Sequence, residues 1–172
     1  LQIINADFFS YQIEQLIGEE ETLFLGNPPW AMNSNLNVNL PEKENFKRLS
    51  GTDAITGASN FDICEYIILK LIEKSINKNV TIAMLCKTSV ARNVLLELDR
   101  NDTRVDTVRI YNFNSSKVFG ISAPACMLYI KISTTNSKCR ECEVYDIEAP
   151  NNICGKISYQ NGKLNNSDDD VL

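Results

Sequence analysis

Two adjacent prolines, Pro28 and Pro29, constrain the fold of this chain more than any other feature of its sequence. They follow the apolar run 23–25, and Asn27 and Trp30 flank them. Each proline fixes its own φ angle and excludes the helical region for the residue before it. The sequence therefore predicts a buried strand over residues 22–26 that ends in a stiff loop, with a carboxamide and an indole held side by side.

Such a loop suits a planar substrate that carries an exocyclic amine. The side-chain oxygen of Asn27 and the carbonyl oxygen of Pro28 can each accept a hydrogen bond from that amine. Trp30 offers a face for an aromatic ring, and such stacking is worth about 1–3 kcal/mol for a nucleic acid base. The bland alternative is a Pro-Pro turn with a packed tryptophan, which these residues alone leave open.

The composition indicates one globular domain, or one domain and a fragment. The chain has 172 residues, of which 44% are hydrophobic and 23% charged, and neither fraction is typical of disorder. No apolar run approaches the roughly 20 residues that span a bilayer, and no signal segment opens the chain. We expect a soluble, cytoplasmic protein.

The charged residues narrow the chemistry. The chain carries 17 basic and 22 acidic residues, a net charge of −5, which is unusual for a free-standing DNA-binding protein. The strongly basic surface of such a protein would have to lie outside this chain. The chain has no histidine, which excludes histidine-based acid–base catalysis and histidine-containing metal sites.

The cysteines do not predict a metal site. Cys64, Cys86 and Cys126 lie in apolar runs and are expected to be core residues of a protein in a reducing compartment. Cys139 and Cys142 have CxxC spacing, but no histidine or second CxxC nearby supplies the remaining zinc ligands. We expect a pair of thiols on a loop or hairpin.

The apolar pattern predicts strands alternating with helices. A helix capped by Asn60 is expected over residues 61–77, with positions 65, 70, 73, 74 and 77 on its polar face. The strand over 126–133 fits an edge or hairpin position. The remaining expected elements are the end of a strand over 1–9, a short helix or turn over 11–17, strands over 80–86, 105–111 and 143–147, a helix over 89–100, and a hairpin over 156–164.

This alternation indicates an α/β fold on a sheet that is parallel at first and ends in a late antiparallel hairpin. Ligands bind such sheets at the C-terminal ends of the strands. Asp7 and Asn27 each follow a predicted strand, so we expect both to face one cleft. The long polar stretch over 31–60 is typical of a functional or mobile loop.

From residue 1 to about residue 133, the order of these motifs resembles the catalytic domain of adenine-N6 DNA methyltransferases. Asn27-Pro28-Pro29-Trp30 match the catalytic motif of that family. Asp7 and Phe8 match its cofactor motif, in which the acidic side chain accepts a hydrogen bond from the adenine amine of S-adenosylmethionine and the next residue packs on the adenine ring. Phe119 resembles a second aromatic residue that, with Trp30, holds a flipped-out base.

The resemblance implies a partial Rossmann-like methyltransferase sheet over residues 1–150, followed by a hairpin and a disordered acidic tail over 151–172. It implies S-adenosylmethionine as cofactor and double-stranded DNA as partner. A restriction endonuclease domain or subunit is a further candidate partner. In the loop over 33–57, Lys43, Lys47 and Arg48 are candidates for DNA backbone contacts, although two interspersed glutamates favour a solvated loop.

The sequence departs from the family in two places. The family's cofactor loop contains Gly-x-Gly, whereas all seven glycines of this chain are isolated. We therefore expect the chain to be the catalytic half of the domain and inactive by itself. Lys87 stands where the family often has proline; it could reach a phosphate or a carboxylate, or simply lie exposed at a strand end.

Other readings remain open. Enzymes that methylate cytosine N4, ribosomal RNA adenine or protein glutamine share the same Pro-Pro-aromatic logic. The glutamine enzymes typically end the motif with tyrosine, so Trp30 favours DNA adenine. A non-catalytic scaffolding fragment is an alternative of a different class, and the missing glycine loop supports it.

Overall fold

The computed structural model describes residues 2–30, 62–135 and 137–166, which form a seven-stranded mixed sheet with helices packed against it. The fold is α/β, as the sequence predicts. The helices are α1 (Ile63–Ser75), α2 (Thr88–Arg100) and the short α3 (Ser115–Phe119), and a 3-10 turn covers Ile13–Leu16. The strands are β1 (Thr22–Gly26), β2 (Val80–Lys87), β3 (Thr107–Phe113), β4 (Ala125–Ile132), β5 (Glu141–Asp146), β6 (Ala149–Gln160) and β7 (Lys163–Asn166).

The strand order in the sheet is β1-β2-β4-β3-β5-β6-β7. β1 runs parallel to β2 and β3 parallel to β5, whereas the other neighbours are antiparallel. The predicted edge or hairpin position of the strand over 126–133 is wrong, because β4 lies in the interior between β2 and β3. Strict alternation of side chains is common to edge and interior antiparallel strands, so the pattern alone could not distinguish them.

β1 forms one edge of this sheet, and this corrects the prediction of a buried strand over residues 22–26. Its alternate residues differ in exposure, with Leu23 58% and Leu25 66% exposed. The long helices share one core with alternate residues of the interior strands. The leucines of β1 point away from that core, because successive side chains of a strand lie on opposite faces.

Helix α1 begins later than predicted. Its N-cap is Asp62, whose carboxylate accepts a hydrogen bond from the backbone N–H of Cys64 at 2.9 Å. The predicted cap, Asn60, lies outside the described residues. A carboxylate at this position bonds an otherwise unpaired N–H of the first turn, so the helix starts at Ile63.

The predicted polar face of α1 is confirmed at Glu73, which is exposed, and at the half-buried Lys74. It is wrong at two other positions, because Glu65 is 1% and Lys70 9% exposed. The helix packs against β2, against α2 and against the 3-10 turn. Neighbours on several sides leave little of its surface in water. The carboxylate of Glu65 accepts a hydrogen bond from Asn93 of α2 at 2.9 Å, which compensates for part of its burial.

The N-terminal segment differs from its prediction. Residues 2–7 form no strand, and a turn follows in which the N–H of Tyr11 donates to the carbonyl of Asp7 at 3.0 Å. The short helix or turn expected over 11–17 is confirmed by the 3-10 turn, which buries Ile13 to 2% exposure. Both features bring this segment against α1.

The hairpin predicted near the C-terminus is confirmed by β6 and β7. Asn161 and Gly162 join them with φ angles of 56° and 70°, the left-handed pair that a tight two-residue hairpin requires. β6 also pairs with β5, so a single sheet continues through residue 150. The domain boundary there stays a prediction, and the tail over 167–172 lies outside the described residues.

Candidate active site

The segment Asn27-Pro28-Pro29-Trp30 leaves the C-terminal end of β1, beside the parallel strand β2. In the last paired position, Gly26 stands opposite Met84. A Cβ built on that glycine would lie 3.1 Å from the sulfur of Met84, so the absence of a side chain permits the close approach. Asn27 and Pro29 are exposed, whereas Pro28 and Trp30 are half-buried.

A cleft of about 420 Å³ opens at this strand end. The predicted catalytic residues Asn27, Pro28 and Pro29 line it, and so does Phe8, which the sequence assigned to the cofactor. Its other walls are largely apolar and include Ile4, Phe24, Ile67, Leu71 and Met84. The volume lies within the range of about 300–1,000 Å³ of small-molecule sites. An aromatic ring, apolar walls and one carboxamide fit a ligand with a planar heterocycle.

Asp7 stands in the turn that carries Phe8. Its carboxylate accepts a hydrogen bond from the backbone N–H of Phe9 at 3.3 Å, and the residue is exposed. It does not follow a strand as expected, and in this structure its carboxylate caps the turn. The roles of Asp7 and Phe8 towards a cofactor therefore stay predictions, with Phe8 facing the cleft and Asp7 bonded within its own turn.

Trp30 is fixed by contacts on two sides. Its Nε1 donates to the carbonyl oxygen of Leu85 on β2 at 3.2 Å. Its ring packs edge-on against Phe119, with the centroids 6.3 Å apart. Phe119 packs in the same way against Phe113 at 5.8 Å and keeps 44% of its surface exposed. The two aromatic residues that the sequence assigned to a base thus lie together.

Phe119 owes its place to the short helix α3. Asn114 caps this helix by accepting a hydrogen bond from the N–H of Lys117 at 3.1 Å. Gly120 ends it in the left-handed conformation, at φ 68°, which glycine adopts without strain. These two residues confine Phe119 to the last turn, next to the loop that carries Trp30.

The C-terminal end of β2 lies next to the loop that carries Trp30. Lys87 forms an ion pair with Asp62, the N-cap of α1, with Nζ and Oδ2 3.0 Å apart. The thiol of Cys64 lies 3.8 Å from the Leu85 carbonyl that also accepts from Trp30. The sequence left several roles open for Lys87. The structure favours contact with a carboxylate, and that carboxylate belongs to Asp62 of the protein itself.

Three buried thiols lie behind this strand end, as predicted for core cysteines. Cys86 stands opposite Cys126 in the sheet, with the sulfurs 3.9 Å apart, and Cys64 is equally buried. Hydrogen bonding with Cys126 raises the pKa of Cys86 well above its ordinary value, and Cys64 and burial raise it further. A thiol in this state stays protonated and is a poor nucleophile or metal ligand.

The CxxC pair lies away from the cleft. Cys139 precedes β5, and its thiol donates to the carbonyl of Glu141 at 2.9 Å. Cys142 is buried within β5, and desolvation raises the pKa of its thiol far above the ordinary range. Within residues 2–30, 62–135 and 137–166, no cluster of three or more cysteine, aspartate or glutamate side chains is arranged to hold a metal ion.

Two groups near the cleft escaped the sequence reasoning. One is the backbone carbonyl of Leu85, whose role no side-chain pattern can reveal. The other is Lys70, whose Nζ donates to the carbonyl of Phe9 at 2.5 Å. The signal for Lys70 is its place in the stretch 63–72, which is apolar apart from Glu65 and Lys70 and in which a buried charge needs a nearby partner.

Comparison with curated proteins found a methyltransferase among the relatives of this chain. The chain is 36% identical over 166 residues to the Type II methyltransferase M.NspV of Nostoc sp.. It resembles a segment of a methyltransferase. The matched region covers 92% of this chain but 34% of the relative, so the chain spans about a third of the length of the curated protein it matches. The resemblance drawn from the motifs is thus confirmed at the level of methyltransferases.

Two further comparisons found no relative. No family model matches the chain, and no solved structure matches it. In the part of the chain that the structure describes, no helix has the length and apolar character needed to cross a membrane.

Proposed function

We propose that this chain is the catalytic half of a DNA methyltransferase domain that transfers a methyl group from S-adenosylmethionine to N6 of adenine. The observation that carries the proposal is the loop at the end of β1, in which Asn27, Pro28 and Pro29 line one cleft together with Phe8. Trp30 ends this loop and packs against Phe119. The similarity to a Type II methyltransferase over 92% of the chain supports the reaction class. The choice of adenine N6 rests on the form of the motif.

The residues of the loop act on the amine of the base. The amine's lone pair is delocalised into the ring, which makes this nitrogen a poor nucleophile. Hydrogen bonds from the amine to Asn27 Oδ1 and to the carbonyl oxygen of Pro28 favour a more tetrahedral nitrogen and localise that pair. Positioning and electrostatic stabilisation then carry the step without a general base of altered pKa.

The aromatic residues hold the base outside the double helix. Extrusion of a base costs a few kcal/mol, and stacking on aromatic side chains offsets part of that cost. Trp30 is already fixed by its bond to Leu85, so little side-chain freedom is lost when a base stacks on it. Phe119, partly exposed beside Trp30, is the second candidate surface.

The proposed cofactor fits the other side of the cleft. When bound, S-adenosylmethionine supplies the methyl group as a substituent of an electrophilic sulfonium. Phe8 provides a ring for packing against the adenine of such a molecule, and the apolar walls exclude water around it. Asp7 can keep its bond to the N–H of Phe9 while it accepts one from that adenine, because a carboxylate has two acceptor oxygens.

The proposal also includes the partners of the protein and its location in the cell. The partner is double-stranded DNA, and the site of action is the cytoplasm of a cell that carries a restriction-modification system. The net charge of −5 fits a protein whose main DNA-binding surface lies outside this chain. An endonuclease domain or subunit is the expected companion in such a system.

Substitution of Asn27 by alanine in the full-length protein tests the proposal. We expect turnover to fall by about 10²–10³-fold, as when a preorganised hydrogen-bonding group is removed, while cofactor affinity stays near that of the wild type. Tritiated S-adenosylmethionine and adenine-containing duplex DNA give the rate, and chromatography of the digested DNA identifies the methylated base. Asn166→Ala, on exposed strand β7, is the matched control.

Each result has a clear meaning. N6-methyladenine made by the wild type and the control but not by Asn27→Ala supports the proposal. Detection of N4-methylcytosine instead would mean that the enzyme methylates cytosine rather than adenine. Normal turnover of Asn27→Ala would overturn the role of the loop. A full-length protein that neither binds the cofactor nor methylates DNA would favour the scaffolding alternative.

A further inference from the structure

Lys70 is a buried charge whose surroundings the reaction described above does not explain. It lies near the middle of α1 and is 9% exposed. An ammonium group in such a place is costly unless protein groups replace the water that it has lost. Its position is therefore held by specific contacts.

Those contacts all belong to the turn that carries Phe8. Lys70 Nζ donates to the carbonyl oxygen of Phe9 at 2.5 Å and lies 5.8 Å from the centroid of the Phe8 ring. The ring of Phe9 packs edge-on against Tyr66, one turn earlier on α1, at 5.3 Å. Two residues of one helix thus hold the turn in place.

Two depressions of the surface adjoin the turn, and Tyr11 lines both of them. Phe8 lines the cleft of about 420 Å³ that contains Asn27. Lys70 lines a second, more polar cleft of about 570 Å³, with Glu14 and Lys74. Lys70 thus reaches the turn from a different depression than the one that Phe8 lines.

We propose that Lys70 is a positioning residue for cofactor binding, acting through Phe8. The ammonium fixes the Phe9 carbonyl and hence the backbone of the turn. It also favours the electron-rich face of the Phe8 ring on its own side, which leaves the opposite face to a ligand in the cleft. This inference rests on the proposed function, because it assumes that Phe8 packs on the cofactor.

The test compares Lys70→Met with Lys74→Met in the full-length protein. Both lysines lie on α1, but Lys74 pairs with Glu14 at 2.9 Å and is 35% exposed. Titration calorimetry with S-adenosylhomocysteine, the demethylated product, measures affinity without turnover. We expect Lys70→Met to lose about tenfold in affinity, Lys74→Met less than twofold, and Lys70→Arg to recover most of the loss.

Two further measurements separate positioning from a general loss of structure. At saturating cofactor, kcat of Lys70→Met should match the wild type while KM for S-adenosylmethionine rises about tenfold. In a double-mutant cycle with Phe8→Leu, the two losses of affinity should not add, because Lys70 acts through that ring. This cycle remains informative even when Lys70→Met lowers the melting temperature, provided that the affinities are measured below it.

The outcomes distinguish this inference from the proposed function. Equal affinities of Lys70→Met and Lys74→Met in an active protein would overturn the role of Lys70 and leave the methyltransferase proposal intact. Additive losses in the cycle would also overturn it, since Lys70 would then act independently of Phe8. A wild-type protein that binds no S-adenosylhomocysteine would reject both proposals together.

Discussion

The two halves of the sheet differ in what their polar contacts hold in place. Beside the candidate cleft, the bonds from Trp30 to the Leu85 carbonyl and from Lys70 to the Phe9 carbonyl hold the segments that carry the motif residues. In the half built from β3 to β7, charged side chains bond to one another across strands and loops. Examples are Arg109 with Glu143 at 2.9 Å, Arg140 with Asp102 at 2.8 Å, and Lys156 with Glu141 at 2.6 Å.

The contacts of the first half thus fix the shape of the candidate site, whereas those of the second half stabilise the sheet. A bond between a side chain and a backbone carbonyl fixes the course of the segment that it joins to the rest of the fold, and it leaves the exposed Asn27 available for a substrate. Charge pairs that join neighbouring strands favour one register of the sheet but present nothing to a ligand. We expect substitutions of Trp30 and Lys70 to change function more than stability, and substitutions in buried apolar positions and in charge pairs to do the reverse.

The largest expected effect on stability is that of Leu128→Ala. Leu128 lies in β4, the interior antiparallel strand, and is 1% exposed. Removing a buried leucine side chain leaves a cavity, and we expect a loss of about 2–5 kcal/mol in the free energy of unfolding, measured with urea. Leu25→Ala on β1, where the leucine is 66% exposed, is the matched control and should cost less than about 0.5 kcal/mol.

An equal loss for both leucines would contradict the contrast between the edge and the interior of the sheet. It would mean that Leu25 is covered in the full-length protein. The same experiment on the isolated chain would then show a smaller loss for Leu25→Ala than the full-length protein does.

A smaller effect is expected for Lys87→Met, which tests a charge pair that lies in the functional half. The substitution leaves the carboxylate of Asp62, a residue 7% exposed, without its cation. We expect a loss of about 1–3 kcal/mol in unfolding free energy. The double variant Lys87→Met/Asp62→Asn should recover much of it, because the amide of asparagine needs no counter-ion.

A different result would assign Lys87 a role in function rather than in stability. Unchanged stability together with weaker binding of duplex DNA, and a shallower dependence of that binding on salt, would identify Lys87 as a phosphate contact. That result would agree with the sequence-based hypothesis in which this lysine contacts a phosphate.

Much of the fold could be predicted because it depends on local signals. The proline pair fixes where β1 ends, and Asn161-Gly162 fixes the last hairpin. Helix α2 starts at Thr88, one residue before its predicted start, and ends at Arg100 as predicted. For the candidate site, the motif predicted the strand end, and the resemblance pointed to both Trp30 and Phe119, whose contact with each other it did not predict.

The features that could not be predicted depend on contacts distant in sequence. The interior position of β4 is decided by pairing with β2 and β3, and its alternation fits an edge equally well. The burial of Lys70 depends on the turn at Phe9, 61 residues earlier in the chain. The capping of the Asp7 turn replaced the expected strand, since residues 2–7 have no partner strand among the described residues.

The smallest effect concerns the far half and depends on pH. The hydroxyl of Tyr145 donates to Glu143 at 2.8 Å and, together with Arg109, lowers the pKa of this carboxyl. A lowered pKa in the folded protein stabilises it above the unfolded value of about 4.3, and this contribution is lost as the pH falls through the folded pKa. Because the side chain is 29% exposed, we expect Glu143→Gln to cost about 1 kcal/mol at pH 7 and progressively less as the pH falls through the folded pKa. Urea titrations across this range measure the difference, and Glu148→Gln, at an exposed residue, should give none. A cost for Glu143→Gln that stays constant with pH would assign the effect to packing with Tyr145 rather than to charge.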